Sequence, residues 1–582
     1  MKKLLTNLNL SKINFKFKIK HLFIVLILVI CFFNLRAFFK PGIFRGHDLE
    51  NHLARIANYY LSIKDSHIPP RWAKNLNHKF GYPVFNYLYP LPNILAYPLI
   101  VVGFGVENSL KIIIFSSYLF SGLFFYLWLK RHFSSLAAFL GSIFYLSAPY
   151  QFLDIYVRGI VGENLTFALF PGVLYFLDLL FEKKSRLRFL GLVVVTALFS
   201  LSHNIMVMLF TPLIFLYYFY VYKKEGQKEK LKFVNLGLIG LILGFLLTSF
   251  FWIPAYFEQN SIKLEAFDQQ SFFPDHFVYL KQLIYSKWQY GFSVLGDGDT
   301  MSFQIGPVHL VIFLLALLIL IKWGLSRFFG KKKKDKKLNL AFLLGGLAVF
   351  LSGVFLMLPF SLFIWRLIPL LGYLQFPWRF LGVVMLGVAV LAVVVSEKYK
   401  GIGIILAFVS LVYCQPFTKP FLWEKKQDMY YYDFLFTTST QHEHTPRWFS
   451  EHNISEFKSR LTSDSGLVVF KELLWKTNSH IYEVDVPKAT NIWEHTAYFP
   501  GWQVFIDGKR AEIKYDRPDN QGLIGVRVPA GKHKIVVKFT ERTPARIIGN
   551  LITVMSLVLV LGIIKLFSKI PVKGWSISRK KK

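Results

Sequence analysis

Long apolar stretches recur along almost the whole chain and constrain its fold more than any other feature. The first stretch runs from His21 to Phe39, and eleven more follow it: Lys111–Leu129, Ser135–Tyr150, Asn164–Phe181, Leu187–Ser202, Asn204–Tyr222, Phe233–Ala255, Pro307–Ile321, Leu340–Leu358, Phe380–Val395, Gly401–Cys414 and Ala545–Phe567. A membrane-spanning helix needs about 20 apolar residues. Of the 582 residues, 54% are hydrophobic and 18% are charged, whereas soluble chains carry more charge. The sequence therefore predicts a mainly α polytopic membrane protein with about twelve transmembrane helices.

Basic residues are concentrated in short segments between these stretches, and the formal net charge is +34. With twelve spans, the basic segments all fall on one side of the membrane: Lys2–Lys20, Lys130-Arg131, Lys183–Arg188, Lys223–Lys232, Lys331–Lys337 and Arg579–Lys582. Cytoplasmic loops carry such an excess of Lys and Arg. We therefore expect a multi-pass plasma-membrane protein with both termini in the cytoplasm. We expect no nucleic-acid partner, because the positive charge is not part of a nucleic-acid-binding module.

This topology divides the chain into segments of different character. It predicts a cytoplasmic basic tail at 1–20, a transmembrane helical module at 21–414, an extracytoplasmic β-rich domain at 415–543, a final transmembrane helix at 544–568 and a second basic tail at 569–582. The extracytoplasmic loops of the helical module are 40–110, 151–163 and 257–306. Leu88–Val106 and Ser361–Leu371 are also apolar. We expect them to be interfacial helices, since counting either one alone as a span reverses the topology.

The C-terminal domain shows the residue patterns of β structure. His480–Val486 alternates polar and apolar residues, as a half-buried strand does. Two pairs of segments predict hairpins with short turns: Trp502–Ile506 with Lys509–Lys514, and Gly525–Val528 with His533–Phe539. The first pair is joined by Asp507-Gly508, a preferred hairpin turn. We therefore expect a small C-terminal β-sandwich that the last span tethers to the membrane.

An ionisable cluster lies directly after the first apolar stretch, in Arg45-Gly46-His47-Asp48-Leu49-Glu50-Asn51-His52. Asp48, His52 and Arg55 are spaced i, i+4 and i+7, so they share one face of a helix that opens after Gly46. Glu50 would point elsewhere. Such a cluster at the membrane surface can position a polar substrate beside a lipid-borne one. The spacing is equally compatible with an Asp48 that only caps or solvates an exposed helix.

Further ionisable residues lie at the ends of other apolar stretches, where charges are costly and commonly face a cavity. Arg158 can bind phosphate through its planar guanidinium or form an internal pair with Glu163. His203, in Ser202-His203-Asn204, fits a buried histidine that satisfies backbone groups better than it fits a catalytic one. Arg379, in Phe376-Pro377-Trp378-Arg379-Phe380, is interpreted as a snorkelling anchor, with a second phosphate contact as the alternative.

No motif identifies a cofactor. The two cysteines, Cys31 and Cys414, lie inside apolar stretches and predict neither a disulfide nor a metal site. His442-Glu443-His444 contains metal-ligating residue types, but three adjacent residues in a loop make a poor site, and we reject it. No Walker loop, dinucleotide fingerprint, nucleophile elbow or zincin helix occurs in the sequence. A divalent cation is the one cofactor that the sequence leaves open.

Together these motifs resemble those of bacterial membrane proteins labelled 6-pyruvoyl-tetrahydropterin synthase-related. The resemblance rests on Gly46-His47-Asp48 with His52 and Arg55, Pro70-Arg71-Trp72, Gly81-Tyr82-Pro83, Tyr89-Pro90-Leu91, Arg158-Gly159 with Glu163, Ser202-His203-Asn204 and Phe376-Pro377-Trp378-Arg379-Phe380. The C-terminal segments Tyr498–Val504, Asp507-Gly508 and Pro529–His533 are similar to those of YfhO-type membrane proteins. Nothing in the chain supplies the soluble fold or the zinc histidines of the pterin synthase itself.

Both groups are identified as members of the GT-C glycosyltransferase superfamily. The resemblance implies a multi-span enzyme that uses a polyprenyl-phosphate-linked sugar as donor. It also implies an acidic catalytic residue in the first outer loop, which corresponds to Asp48. Many members have two adjacent acids there, and His47-Asp48-Leu49-Glu50 departs from that pair.

We therefore expect sugar transfer from the lipid carrier to an extracytoplasmic acceptor, a cell-envelope glycan or lipid. Asp48 would act as general base in a direct inverting displacement, since the site has no second carboxylate to act as nucleophile. Arg158, followed by Arg379 and Arg71, would stabilise the departing phosphate, and His52 would orient Asp48 or contact the phosphate. The remaining candidates for substrate contact are Arg55, Glu163 and His203. The alternatives are a non-catalytic transporter or flippase for lipid-linked saccharides, and an assembly factor whose β domain binds cell-wall polymer.

Overall fold

The computed structural model describes residues 19–225, 234–264, 272–330, 338–439, 441–455, 459–516 and 522–569. Most of the basic segments that predict the orientation lie outside these residues: 1–18, 226–232, 331–337 and 579–582. The orientation of the chain across the membrane therefore stays a prediction.

The described chain is mostly helical up to residue 413. Its helices are α1 (Ile19–Asn34), α2 (Leu49–Lys64), α3 (Val84–Tyr87), α4 (Leu91–Val101), α5 (Gly105–Leu129), α6 (Ser135–Leu146), α7 (Pro149–Phe152), α8 (Val161–Glu182), α9 (Arg186–Ser200), α10 (Asn204–Glu225), α11 (Val234–Leu246), α12 (Ser249–Phe257), α13 (Leu280–Ile284), α14 (Pro307–Phe328), α15 (Leu340–Met357), α16 (Leu362–Leu367), α17 (Leu381–Lys398), α18 (Lys400–Tyr413), α19 (Asp428–Tyr432), α20 (His452–Ser455) and α21 (Pro544–Lys569).

Each predicted span corresponds to a helix or to a bent pair of helices. Seven described helices are long and apolar enough to cross a bilayer, namely α5, α8, α10, α14, α15, α17 and α21. Two bent pairs raise the number to nine: α6 with Pro149–Arg158, at 47°, and α11 with α12, at 59°. The helices α1, α9 and α18 are shorter, with 16, 15 and 14 residues. The described residues thus support seven to nine spans, and the number twelve stays a prediction.

Two apolar segments that we expect at the membrane interface form only short helices. Leu88–Val106 contains α4, which has 11 residues. Ser361–Leu371 contains α16, which has 6 residues. Neither helix is long enough to cross the hydrocarbon core, since each residue adds about 1.5 Å to the length of a helix.

The C-terminal region forms two antiparallel sheets. The strands of the chain are β1 (Ile43–Phe44), β2 (Trp423–Glu424), β3 (Leu461–Ser463), β4 (Gly466–Leu467), β5 (Val469–Lys476), β6 (Ser479–Val486), β7 (Thr490–Ala497), β8 (Trp502–Ile506), β9 (Lys509–Ala511), β10 (Leu523–Val528) and β11 (Gly531–Phe539). One sheet has the order β10-β7-β3-β4, and the other has the order β5-β6-β11-β8-β9. Both contribute to one apolar cluster, for example through Trp493 of the first sheet and Val504 of the second. The predicted β-rich region is therefore confirmed.

One of the two predicted hairpins is correct. β8 pairs with β9, and Ile506 lies opposite Lys509. Asp507 and Gly508 between them have φ of 50° and 80°, as the two-residue turn requires. The second hairpin is wrong, because β10 pairs with β7 whereas β11 pairs with β6 and β8. The turn residues after Val528 predict a change of direction, but here the chain passes from one sheet to the other.

Ion pairs of two buried arginines fasten the first and third outer loops to the C-terminal region. Arg71 donates to both carboxylate oxygens of Glu541, at 3.2 and 3.1 Å, and to Asn86 Oδ1 at 3.2 Å. Close by, Arg546 pairs with Glu258 at 2.9 Å. Arg71 is 1% exposed, and these partners occupy its guanidinium. The phosphate-binding role predicted for Arg71 does not fit this position, and its contacts are those of a structural residue.

Candidate active site

A cavity of about 1360 Å³ lies between the first loop and the adjoining ends of α8, α10 and α17. Six of the predicted site residues line it: Asp48, His52, Arg55, Arg158, His203 and Arg379. Arg71 and Glu163 do not line it. The structure therefore brings together residues that are as far apart in the sequence as Asp48 and Arg379.

α2 presents Asp48, His52 and Arg55 to the cavity, as their spacing predicts. The helix begins at Leu49, and Asp48 is its N-cap residue, yet the Asp48 side chain accepts no capping hydrogen bond. Glu50 points elsewhere, as expected, and accepts a hydrogen bond from Tyr430 Oη at 2.7 Å. The alternative in which Asp48 only caps an exposed helix therefore does not describe this structure.

Two glycines allow the first and second loops to meet beside Asp48. The Asp48 N–H donates to the Arg158 carbonyl at 2.9 Å. Gly159 has a φ of 69°, and a Cβ there would lie 2.3 Å from Leu49 Cδ1. A Cβ on Gly46 would lie 3.1 Å from Gly159 Cα. Only glycine accepts both the left-handed backbone and this close approach, so the Arg-Gly sequence sets the position of Arg158 relative to Asp48.

The carboxylate of Asp48 is uncommitted within the described part of the chain. It forms no hydrogen bond or ion pair with any described residue. Burial in the cavity wall raises the pKa of Asp48 above its usual value, and the positive charges of nearby arginines oppose this shift. Those arginines are Arg55, Arg158 and Arg379. Asp48 is half-buried. A carboxylate that is partly removed from water without a partner is costly, and carboxylates with such shifted pKa values are concentrated at functional sites.

Glu163 holds two of these arginines. Its Oε1 accepts hydrogen bonds from Arg158 Nη2 at 2.9 Å and from Arg379 Nε at 3.2 Å, and its Oε2 accepts one from Arg158 Nη1 at 2.9 Å. Arg158 also contacts Asp154 and donates to Tyr150 Oη at 3.2 Å. The internal Arg158–Glu163 pair is therefore present, and Arg158 still lines the cavity. Glu163 is buried behind the two guanidiniums and positions them.

Arg379 is a buried residue of the cavity wall. It is 5% exposed, donates to the Leu374 carbonyl at 2.6 Å and lies 5.0 Å from the Phe376 ring centroid. Arg158 lies 4.4 Å from the ring centroid of Trp378. The snorkelling interpretation is wrong, because the side chain turns inward to Glu163. No local pattern indicates this partner, because Glu163 is 216 positions away in the chain.

The histidines near Asp48 are held among aromatic rings. His52 Nε2 lies 3.4 Å from Tyr89 Oη, and the His203 ring centroid lies 4.5 Å from that of Tyr89. His203 Nδ1 accepts the Met206 N–H at 3.3 Å, as expected for a histidine that satisfies the backbone. Burial lowers the pKa of His47 to about 4 and that of His52 well below its usual value. These rings are therefore neutral at pH 7, and the positive charge of the cavity comes from arginines.

One part of the lining was not predicted from the sequence. Residues 437–439 and 441–444, which we name the strap, precede the β-sheets and contribute Thr438, Ser439, Gln441, Glu443 and His444 to the cavity. The polar run His442-Glu443-His444 is the one sequence feature that marks this segment. Among the described residues, no group of three or more His, Cys, Asp or Glu could hold a metal ion.

Three solved structures are similar to the chain at low TM-scores. The arabinofuranosyltransferase AftD from Mycobacteria has a TM-score of 0.43 and 14% identity, over 69% of this chain and 26% of that one. The Archaeoglobus fulgidus oligosaccharyltransferase, solved with Zn and sulfate, has a TM-score of 0.37 and 14% identity, over 74% and 59%. ArnT from Cupriavidus metallidurans, bound to undecaprenyl phosphate, has a TM-score of 0.30 and 14% identity, over 67% and 77%. These scores are too low to establish a common fold.

Sequence comparison identifies a family. An uncharacterized protein of Lactococcus lactis subsp. cremoris (strain MG1363) is 26% identical over 255 residues, which are 42% of this chain and 40% of that protein. The chain thus matches about two fifths of the length of this relative. A family described as "6-pyruvoyl-tetrahydropterin synthase related domain; membrane protein" matches residues 85–418, more than half of the chain. The resemblance to this group is confirmed, and the chain belongs to the 6-pyruvoyl-tetrahydropterin synthase-related family of membrane proteins.

Proposed function

We propose that this protein is a membrane glycosyltransferase. It transfers a sugar from a polyprenyl-phosphate carrier to a cell-envelope glycan or lipid on the extracytoplasmic side of the plasma membrane, with inversion at the sugar carbon. Asp48 is the general base. The proposal joins the motif resemblance to the GT-C superfamily with the geometry of the cavity.

One observation carries the proposal: an uncommitted carboxylate lies beside arginines in a cavity of about 1360 Å³. Ligand pockets usually measure about 300–1,000 Å³, so this cavity has room for a sugar and a second substrate. Two further buried polar atoms in residues that line it, His47 Nε2 and Trp378 Nε1, have no hydrogen-bond partner among the described residues. Buried polar groups are usually satisfied, which supports a polar ligand as the missing partner.

The charges of the wall indicate where a phosphate binds. Glu163 compensates Arg158 and Arg379, and Asp154 also contacts Arg158. Arg55 has no acidic partner among the described residues and donates only to Thr438, from Nε and from Nη2, both at 3.0 Å. We therefore place the phosphate against Arg55 first, with Arg158 and Arg379 completing the positive wall. Guanidiniums bind phosphate oxygens well because their planar donors match the anion.

Part of the cavity suits the isoprenoid chain of the donor. Val207, Met208, Phe245, Leu246 and Trp252 line it, and these residues lie on helices of the membrane module. Leu246 is 37% exposed and lies at the end of α11. A polyprenyl phosphate can enter from the bilayer on this side with its phosphate toward the arginines.

The chemistry follows from these positions. Asp48 takes the proton of the acceptor hydroxyl while the acceptor oxygen attacks the sugar carbon. The bond from that carbon to the phosphate oxygen breaks, and the electron pair leaves with the phosphate. The arginines stabilise the charge that develops on this oxygen. Because one carboxylate acts and no covalent intermediate forms, the sugar carbon inverts.

The test uses the purified full chain in phospholipid nanodiscs. Undecaprenyl-phosphate-linked glucose, galactose, mannose and N-acetylglucosamine, each radiolabelled in the sugar, are offered with envelope glycans as acceptor. We expect label in the glycan with one donor. We expect Asp48→Asn to reduce transfer by a factor of about 10³, within the range for loss of a general base.

The matched control is Asp433→Asn, which removes an exposed carboxylate that does not line the cavity. It should transfer at the wild-type rate, and both variants should unfold at the wild-type temperature. Wild-type activity in Asp48→Asn would exclude Asp48 as the base. Movement of intact labelled donor across the bilayer without transfer would instead favour the transporter alternative.

A further inference from the structure

We propose that the strap is the acceptor subsite of this transferase and that it binds an uncharged, hydroxyl-rich glycan end. The inference rests on the proposed function and adds to it the chemical class of the acceptor. It also assigns Glu443 as the residue that selects this class.

The strap forms a wall of the same cavity that contains Asp48. In the sequence, the strap lies about 390 positions after Asp48. The cavity exceeds the volume of about 300–1,000 Å³ that one ligand usually occupies. A second substrate therefore has both space and a separate polar surface.

Contacts at both ends hold the strap in place. At one end, Arg55 donates to Thr438 Oγ1 and to its carbonyl, and the Thr438 N–H donates to Tyr82 Oη at 2.8 Å. At the other end, the Lys263 N–H donates to the Thr445 carbonyl at 3.0 Å. A binding surface that is fixed in this way loses little conformational freedom when a ligand binds.

The strap differs in chemistry from the arginine wall. It presents a hydroxyl, an amide, a carboxylate and an imidazole, from Ser439, Gln441, Glu443 and His444, and it contains no Lys or Arg. Glu443 Oε2 accepts the Gln441 N–H at 3.1 Å, and no described Lys or Arg forms an ion pair with Glu443. Glu443 Oε1 also lies 3.6 Å from His444 Nδ1. This distance is too long for a hydrogen bond, so both carboxylate oxygens keep acceptor capacity for ligand hydroxyls.

This difference separates two kinds of ligand. The negative charge of Glu443 repels a phosphate-bearing acceptor. Glu443 therefore rejects charged acceptors and binds neutral ones. Carboxylates accept short, strong hydrogen bonds from hydroxyl groups. The phosphate of the donor thus belongs at Arg55, and the glycan belongs at the strap, with its reacting hydroxyl at Asp48.

The experiment compares Glu443→Ala and Glu443→Gln with wild type in nanodiscs. Neutral and phosphate-bearing envelope glycans, separated by anion exchange, are offered as acceptors with the labelled donor. Affinity for undecaprenyl phosphate and hydrolysis of the donor by water are measured in parallel. We expect label in the neutral glycans only, and a KM for them that rises by about tenfold or more in Glu443→Ala and less in Glu443→Gln. Undecaprenyl phosphate affinity and donor hydrolysis should stay within about twofold of wild type.

The matched control is Asp433→Ala, since Asp433 is exposed on the same connecting segment and does not line the cavity. If Glu443→Ala does not fold, the KM in Glu443→Gln decides, because that side chain keeps its shape and loses only the charge. The inference is overturned if the variants weaken undecaprenyl phosphate binding as much as transfer, if KM is unchanged, or if the label enters phosphate-bearing glycans. In each of these cases wild-type transfer still supports the proposed function, whereas a wild-type protein without transfer overturns both.

Discussion

The two ends of α8 both carry buried acids in ionisable clusters, and only one end adjoins the cavity. Glu163, near the first end, binds Arg158 and Arg379 in the cavity wall. Asp178, near the other end, lies 15 positions later, which corresponds to roughly 22 Å along the helix. Within the described residues, Asp178 does not line the cavity.

The Asp178 carboxylate has several partners among the described residues. It lies 2.6 Å from His132 Nε2 and accepts a hydrogen bond from Tyr217 Oη at 2.8 Å. Trp128 Nε1 donates to the same tyrosine oxygen at 2.8 Å, and Arg131 lies 3.9 Å from the carboxylate. These contacts join α5, α8 and α10. The cluster therefore has the composition of a site, but its groups bind one another.

The comparison shows what distinguishes a functional cluster from a structural one in this membrane protein. Burial and ion pairing occur at both ends of α8. Only the Glu163 end combines them with an adjacent space and with an uncommitted carboxylate, that of Asp48. Charged residues inside a membrane protein are candidates for function. Of the two clusters, the functional candidate is the one that adjoins the cavity and a carboxylate without a partner.

Glu163→Gln should reduce sugar transfer more than any other change that tests the difference between the two ends of α8. The change removes the charge that holds both Arg158 and Arg379, so the guanidiniums lose the position in which they meet the leaving phosphate. We expect transfer to fall by a factor of about 10² or more, mainly in kcat, since a preorganised donor contributes about this much. Steady-state rates with a fixed labelled donor measure it. Transfer at the wild-type level would show that Glu163 is structural, like Asp178.

Arg55→Ala should have the next largest effect. Arg55 is the cavity arginine without an acidic partner among the described residues, so its loss should weaken undecaprenyl phosphate binding by about tenfold to a hundredfold, as for a lost hydrogen bond to a charged group. Titration of intrinsic tryptophan fluorescence with undecaprenyl phosphate measures the dissociation constant. Because Arg55 also holds the strap at Thr438, Thr438→Val serves as a control that loosens the strap and keeps the charge. Equal losses in both variants would assign the effect to the strap.

Asp178→Asn should change stability and leave catalysis intact. It removes a charged acceptor from a partly buried network, which should lower the free energy of unfolding by about 2 kcal/mol. Transfer at a temperature below unfolding should stay within about twofold of wild type. Thermal unfolding followed by tryptophan fluorescence, together with the transfer rate, checks both statements. A large loss of transfer in folded Asp178→Asn would remove the distinction between the two ends of α8.

The pH dependence of transfer should show the smallest effect, and it is the most specific test of Asp48 as the base. Burial raises the pKa of Asp48, and the charge of Arg55 opposes that rise. The base acts when it is deprotonated, so transfer should increase with pH through a midpoint above the usual pKa of an aspartate. Removal of Arg55 should move this midpoint to higher pH, and Asp178→Asn should not move it. A midpoint that falls in Arg55→Ala would contradict the assignment to Asp48.

The sequence predicts those parts of the molecule that depend on local patterns. Apolar length predicts the helices, and the helical period correctly places Asp48, His52 and Arg55 on one face of α2. The Asp-Gly turn correctly predicts the hairpin of β8 and β9. In each case the signal and the structure lie within a few residues of each other.

The remaining features depend on contacts between distant segments. The sequence does not show that Arg379 turns to Glu163, that Arg71 turns to Glu541 or that the strap reaches the cavity. The partner of β11 is decided in the same way, because a turn signal cannot specify which sheet the next strand joins. Polar residues at the ends of apolar stretches identify candidate site residues. Tertiary packing then decides which of these residues line the same cavity.

The strap also has a consequence for biogenesis. Every described apolar helix except α21 precedes it in the chain, so these helices are synthesised before Glu443 exists. Until then the cavity around Asp48 lacks the wall that the strap contributes. On the proposed function, the second reactant can therefore bind only late in synthesis, after the helices on the donor side of the cavity have been made.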